Sequence, residues 1–146
     1  YFSEVNLNLL PWFNSLAKVL EKATLFFIDY GFEADVFFHP QRNQGTLMCH
    51  YQHRAHENPL ILTGIQDITA HVNFSDLFEA AYQAGFHVVD YQTQAQFLIQ
   101  SNILNLVQSD ENPNDVNYYQ KAQELKYLLL PSEMGELFKV ATLELG

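Results

Sequence analysis

Leu9, Leu10, Phe13, Leu16, Ala17 and Leu20 recur at the spacing of one helical face, with Asn8 in front as a cap and Pro11 in the first turn. This pattern predicts an amphipathic helix over residues 9–22. The run Ala23-Thr24-Leu25-Phe26-Phe27-Ile28 that follows is apolar without alternation, as in a strand buried on both faces of a parallel sheet, and it ends in Asp29-Tyr30-Gly31. Ligands in open α/β sheets gather beyond the carboxyl ends of the strands, which makes Asp29 and Tyr30 candidate site residues. The plainer reading is that Asp29 anchors a turn and Gly31 supplies its positive φ. From residue 32 to residue 66 periodicity fails, and Pro40, Gly45, Pro59 and Gly64 punctuate an irregular cover, with short strands expected at 36–39 and 46–51. The aromatics Phe32, Phe37, Phe38 and Tyr51 favour an ordered cover over a disordered one.

Residues 64–74 read Gly-Ile-Gln-Asp-Ile-Thr-Ala-His-Val-Asn-Phe. Asp67, Thr69 and His71 alternate, so an extended backbone turns them to one face and Ile68, Ala70 and Val72 to the other. Such a segment is either the wall of a site or an edge strand with a wet side. Ser75 is then expected to cap a short helix carrying Leu77, Phe78, Ala81 and Ala84 and stopped by Gly85. A strand over 86–91, a helix over 94–107 and an acidic turn over 110–115 follow, and Asn114 or Asp115 caps a third helix that Pro131 ends. The last strand is expected over 137–143, reached through a turn at 132–135.

Helices alternating with strands predict an α/β fold. Three strands, the first too apolar for an edge, leave that sheet incomplete. The expectation is that residues preceding Tyr1, or a partner chain, complete it, and the opening on Tyr1 rather than Met points the same way. An open sheet side also predicts self-association of the fragment.

Composition narrows the function. At 146 residues one domain is the default, and 17 acids against 7 bases argue against nucleic acid as a partner, because that affinity rests on Lys and Arg at phosphates. Cys49 is alone, and no apolar run approaches the roughly 18 residues of a membrane span. His50, His53 and His56, with Glu57 beside them, suggest a metal. They share a side only in a helix that this segment does not announce, and Arg54 among them repels a cation, so no metal ligand is assigned. Ser75 and Ser132 read as cap and turn residues, and neither a Gly-x-Ser-x-Gly elbow nor a Gly-x-Gly-x-x-Gly loop is present. What remains is Asp29, Tyr30, Asp67, Thr69 and His71. Carboxylates hold a guanidinium through paired, charge-assisted hydrogen bonds, and a tyrosine face stacks on it. On the plainer reading Asp67 and Thr69 cap the cover and His71 is a satisfied, half-buried imidazole.

Four motifs in order carry a resemblance: Phe27-Ile28-Asp29-Tyr30-Gly31; Gly45-Thr46-Leu47 with Tyr51; the run from Gly64 to Phe74; and Met134-Gly135-Glu136-Leu137-Phe138-Lys139-Val140. Together they resemble the MidA-like family of class I S-adenosylmethionine-dependent methyltransferases, related to a mitochondrial assembly factor of respiratory complex I. The resemblance implies the C-terminal part of a Rossmann-like enzyme, with the glycine-rich loop for S-adenosylmethionine in an absent N-terminal half and no cofactor-binding residue here. The first strand would then be a late central one, and the strands at Val88 and Val140 the last two, the final one antiparallel. It implies a protein arginine substrate, with a respiratory complex I subunit as one candidate. Asp29, Asp67 and His71 would be catalytic, and Tyr30 and Thr69 would bind substrate. The expected location is the cytoplasm for a bacterial protein or the mitochondrial matrix for a eukaryotic one. Three departures stand out: Asn73 where relatives often carry Asp, Ser101-Asn102 where they usually have Gly, and no basic residue near Glu144-Leu145-Gly146. The alternatives are a non-catalytic protein–protein interaction module of the same fold and, more remotely, a metal-dependent hydrolase built on the three histidines.

Overall fold

The apolar face at Leu9, Phe13 and Leu16 folds as α1 (Leu9–Val19), which ends ahead of the predicted limit because residues 20–22 bend into the next strand. In the computed structural model, residues 1–108 and 116–146 are described. The acidic turn over 110–115 and the cap at Asn114 or Asp115 lie outside the described residues.

Strand β1 (Ala23–Phe32) runs further than expected, so Asp29, Tyr30 and Gly31 lie within it and not in a turn beyond it. Gly31 is required by close approach: a Cβ there would collide with the Val72 carbonyl on the neighbouring strand. The segment expected as a strand over 36–39 is instead a helical turn, α2 (Ala34–Phe37), followed by a 3-10 turn at Pro40–Arg42. The first free N–H of that turn, on Ala34, donates to Ser75 Oγ, and Phe37 N–H closes it onto the Glu33 carbonyl. Local β-propensity of Val36 and two Phe loses to that closure.

Strands β2 (Met48–Tyr51) and β3 (Arg54–His56) form a hairpin whose two turn residues, Gln52 and His53, both have positive φ. Strand β4 (Asp67–Thr69) pairs with β2 on its other side, and β5 (Val72–Asn73) leads into α3 (Phe74–Gln83). Residues 34–56 therefore carry short helical turns and a hairpin in place of an irregular stretch. The cap of α3 is Asn73, whose Oδ1 accepts from Ser75 N–H and Asp76 N–H, and not Ser75 as expected. Asn does this as well as Asp, so the departure at this position leaves the cap intact. Gly85 stops the helix.

Strand β6 (His87–Thr93) is followed by α4 (Gln94–Gln100), held by a capping box between Thr93 and Gln96, and by α5 (Ile103–Gln108). The single helix expected over 94–107 is thus two. Asn102 adopts a positive φ at the break, a conformation Asn tolerates. Helix α6 (Val116–Leu129), the short α7 (Met134–Leu137) and strand β7 (Phe138–Leu145) complete the chain.

The chain divides into two compact units, residues 1–19 with 31–84, and residues 20–30 with 85–146. In the first, β2 is the centre of a three-stranded antiparallel sheet, residues 31–32 pair in parallel with β5, and Phe13, Phe37, Cys49, Phe74, Leu77 and Ala81 are buried. In the second, β7 lies between residues 23–30 and β6, antiparallel to both, as the resemblance implies for a final strand. Its core is Phe86, Val140, Ala141 and Leu143. Within this chain β1 alternates, with Phe26 and Ile28 55% and 52% exposed, so the burial on both faces expected of it is not supplied by these residues alone. Among the described residues no helix is long and apolar enough to cross a membrane.

Candidate functional site

Asp29 and Tyr30 belong to the second unit, and Asp67, Thr69 and His71 to the first. Antiparallel pairing with β7 sets Asp29 opposite Lys139 and Tyr30 opposite Phe138. The Asp29 carboxylate accepts the Tyr30 N–H at 2.8 Å, and the Tyr30 ring meets that of Phe138 edge to face at 5.4 Å. This fixes both side chains near the carboxyl end of β1, where an α/β sheet presents its ligand-facing groups.

In the first unit the three polar residues have separate surroundings. Asp67 is exposed, opposite His50 on β2. Thr69 donates its hydroxyl to the Met48 carbonyl at 3.2 Å, a cross-strand bond that ties β4 to β2. The apolar backing expected behind them is incomplete, because Ile68 is half exposed. His71 lies just past β4, its ring 5.3 Å from that of Phe32, and the Arg42 guanidinium sits 4.0 Å from the centroid of the same Phe32 ring. A cation over an aromatic face is attracted by the ring quadrupole.

Glu4, which the sequence did not mark, and Thr46 of the Gly45-Thr46-Leu47 motif organise this region. Glu4 Oε1 accepts the N–H groups of Thr46 at 2.9 Å and Leu47 at 2.8 Å, and Oε2 accepts the Thr46 hydroxyl at 3.1 Å. Thr46 Oγ1 in turn accepts the His71 N–H at 3.0 Å. Gly45 has a φ of 78°, and a Cβ there would run into the Glu4 carboxylate. Burial alone would raise the Glu4 carboxyl, but the hydrogen bonds from the Thr46 and Leu47 backbone and the Thr46 hydroxyl outweigh it and hold the group below its ordinary 4.5. The one available signal was that Glu4 is the sole charge before Lys18.

His50 is exposed on β2, His53 sits in the hairpin turn and His56 is on β3 opposite Cys49. Among the described residues no three His, Cys, Asp or Glu gather as ligands. A shallow apolar groove in the second unit, lined by Leu104, Leu125 and Leu129, contains none of the candidate residues. The space beside Gly31 is taken by the Val72 carbonyl, beside Gly45 by the Glu4 carboxylate and beside Gly135 by the Leu129 carbonyl, whereas the space beside Gly64 is open.

Residues 1–92 match a family described as "Putative S-adenosyl-L-methionine-dependent methyltransferase". The chain is similar to a Burkholderia thailandensis protein whose crystal structure holds S-adenosyl-homocysteine, with 40% identity and a TM-score of 0.89 over 97% of this chain and 36% of the other. It is equally similar, at 40% identity and a TM-score of 0.89, to an uncharacterized protein from the same organism in native form, of which it covers 38%. The chain therefore spans little more than a third of the length of these solved relatives, and its α/β fold with a mixed sheet is theirs over that span. No curated protein matches it.

Proposed function

The chain belongs to this family of S-adenosyl-L-methionine-dependent methyltransferases, and from that membership we propose that it supplies acceptor-side residues of a longer enzyme that methylates a protein arginine. Within the family we place it among the MidA-like members, on the four motifs set out above. The donor would be held mainly by residues outside this chain. That division is supported by the relatives' greater length.

The observation that carries the reading is the placement of Asp29 and Tyr30 at the carboxyl end of β1 in a chain of this family. A carboxylate fixed by its neighbour's N–H is preorganised to receive a guanidinium, and a tyrosine braced edge-on by Phe138 offers its face to the same planar cation. Asp29 or Asp67 is the proposed partner of the accepting nitrogen. His71 is the third catalytic candidate, and Tyr30 and Thr69 are assigned to substrate binding. A net charge of -10 favours a basic protein segment as substrate, and a respiratory complex I subunit is one such candidate.

The test is transfer of labelled methyl from S-adenosylmethionine to arginine-containing peptides by the full-length protein, compared with Asp29→Asn and Asp67→Asn. Loss of a positioned charge is expected to lower kcat by about 100-fold in at least one variant, with the donor still bound. Unchanged transfer in both variants rejects the assignment.

A further inference from the structure

We propose that Glu4 is a positioning residue, whose carboxylate, acting through the Thr46 hydroxyl, sets where His71 stands. The proposal rests on the reading of His71 as an acceptor-side residue. Consecutive N–H groups after a positive-φ glycine form a concavity that suits an anion, and here the anion is the chain's own carboxylate. An ionised carboxylate only accepts hydrogen bonds, so the Thr46 hydroxyl must donate to Glu4, which leaves its oxygen free to accept the His71 N–H. The direction of every bond from Glu4 to His71 is thereby fixed.

On the other side of His71, Val72 pairs with Gly31, whose missing Cβ is what allows that approach. His71 is thus pinned through its own N–H by Thr46 and through the next residue by β1. Its ring rests on Phe32, which also carries Arg42. Loss of the Glu4 link would free the first pin and shift the imidazole relative to that ring, while the Val72–Gly31 pairing and the hairpin sheet stay in place. Between Tyr1 and Lys18 Glu4 is the one charged side chain.

The experiment uses the full-length protein with three variants: Glu4→Gln, Thr46→Val and Thr46→Ser. Thr46→Val keeps both backbone N–H bonds to Glu4 and removes only the hydroxyl, which guards against a general loss of fold. Hydrogen exchange at the His71 amide and the kinetics of methyl transfer to an arginine peptide are measured together, with donor affinity read by calorimetry. Thr46→Val and Glu4→Gln are expected to speed His71 exchange and lower kcat/KM for the peptide, each by about tenfold, with donor affinity unchanged. Thr46→Ser, which restores the hydroxyl, rescues both. The proposal is overturned if Thr46→Val leaves exchange or kcat/KM at the wild-type value, or if Thr46→Ser is as impaired as Thr46→Val. A wild-type protein that binds the donor but methylates no peptide overturns the function above and this proposal with it. Wild-type turnover with unimpaired variants overturns this proposal alone.

Discussion

Glu4 shows how a residue's weight can be invisible in its spacing. It sits in no periodic segment, and the turn it holds is more than 40 positions away, so only the folded chain brings acid and turn together. Its titration has a defined consequence for stability. The folded carboxyl lies below 4.5, so as pH falls the unfolded chain takes up the proton first. The stabilisation is fully present above the unfolded value and is lost as pH drops through the folded one. Glu4→Gln is therefore expected to lower Tm near neutral pH, with the gap to wild type narrowing on acidification below about pH 4.5. Thermal melts from about pH 7 to about pH 3 measure this, and a gap that stays constant or widens would contradict the assignment. The other candidate residues were legible as types in a pattern, because Asp29, Tyr30, Asp67, Thr69 and His71 stand where alternation and strand ends put polar groups. What each touches was not. Thr69 spends its hydroxyl on the Met48 carbonyl and His71 its N–H on Thr46, bonds that depend on partners more than 20 residues distant.

Elements with strong periodicity or clear stop signals were readable: α1, α3 with Gly85 behind it, and the strands around Val88 and Val140. Those set by special backbone angles were not. The β2–β3 hairpin turns on Gln52-His53 at positive φ, where Asn-Gly would have announced it, and Asn102, also at positive φ, splits a helix. Strand β1 illustrates a different limit. An apolar run reports that side chains seek burial without saying against what. Among the described residues, 23–30 are paired along one edge only, and Phe26 and Ile28 stand on an exposed side. An edge of that kind templates further pairing. The 146-residue chain alone is expected to self-associate, and Phe26→Lys with Ile28→Lys to shift it toward monomer in sedimentation equilibrium. A monomer at high concentration for the unmodified chain would contradict this.

At the scale of the whole molecule, family membership and fold come from order. The α/β alternation agrees with a relative that shares 40% identity and a TM-score of 0.89 across 97% of the chain. The chain amounts to 36% of the length of one such relative, solved with S-adenosyl-homocysteine. The central proposal is a division of labour, with acceptor-side residues here and the donor's cradle in the remainder of a longer enzyme. Calorimetric titration of S-adenosylmethionine into this chain alone and into the full-length protein tests it most directly. Saturable, stoichiometric binding by the full-length protein and no binding heat from the isolated chain is the expected result; saturable binding by the isolated chain would contradict it.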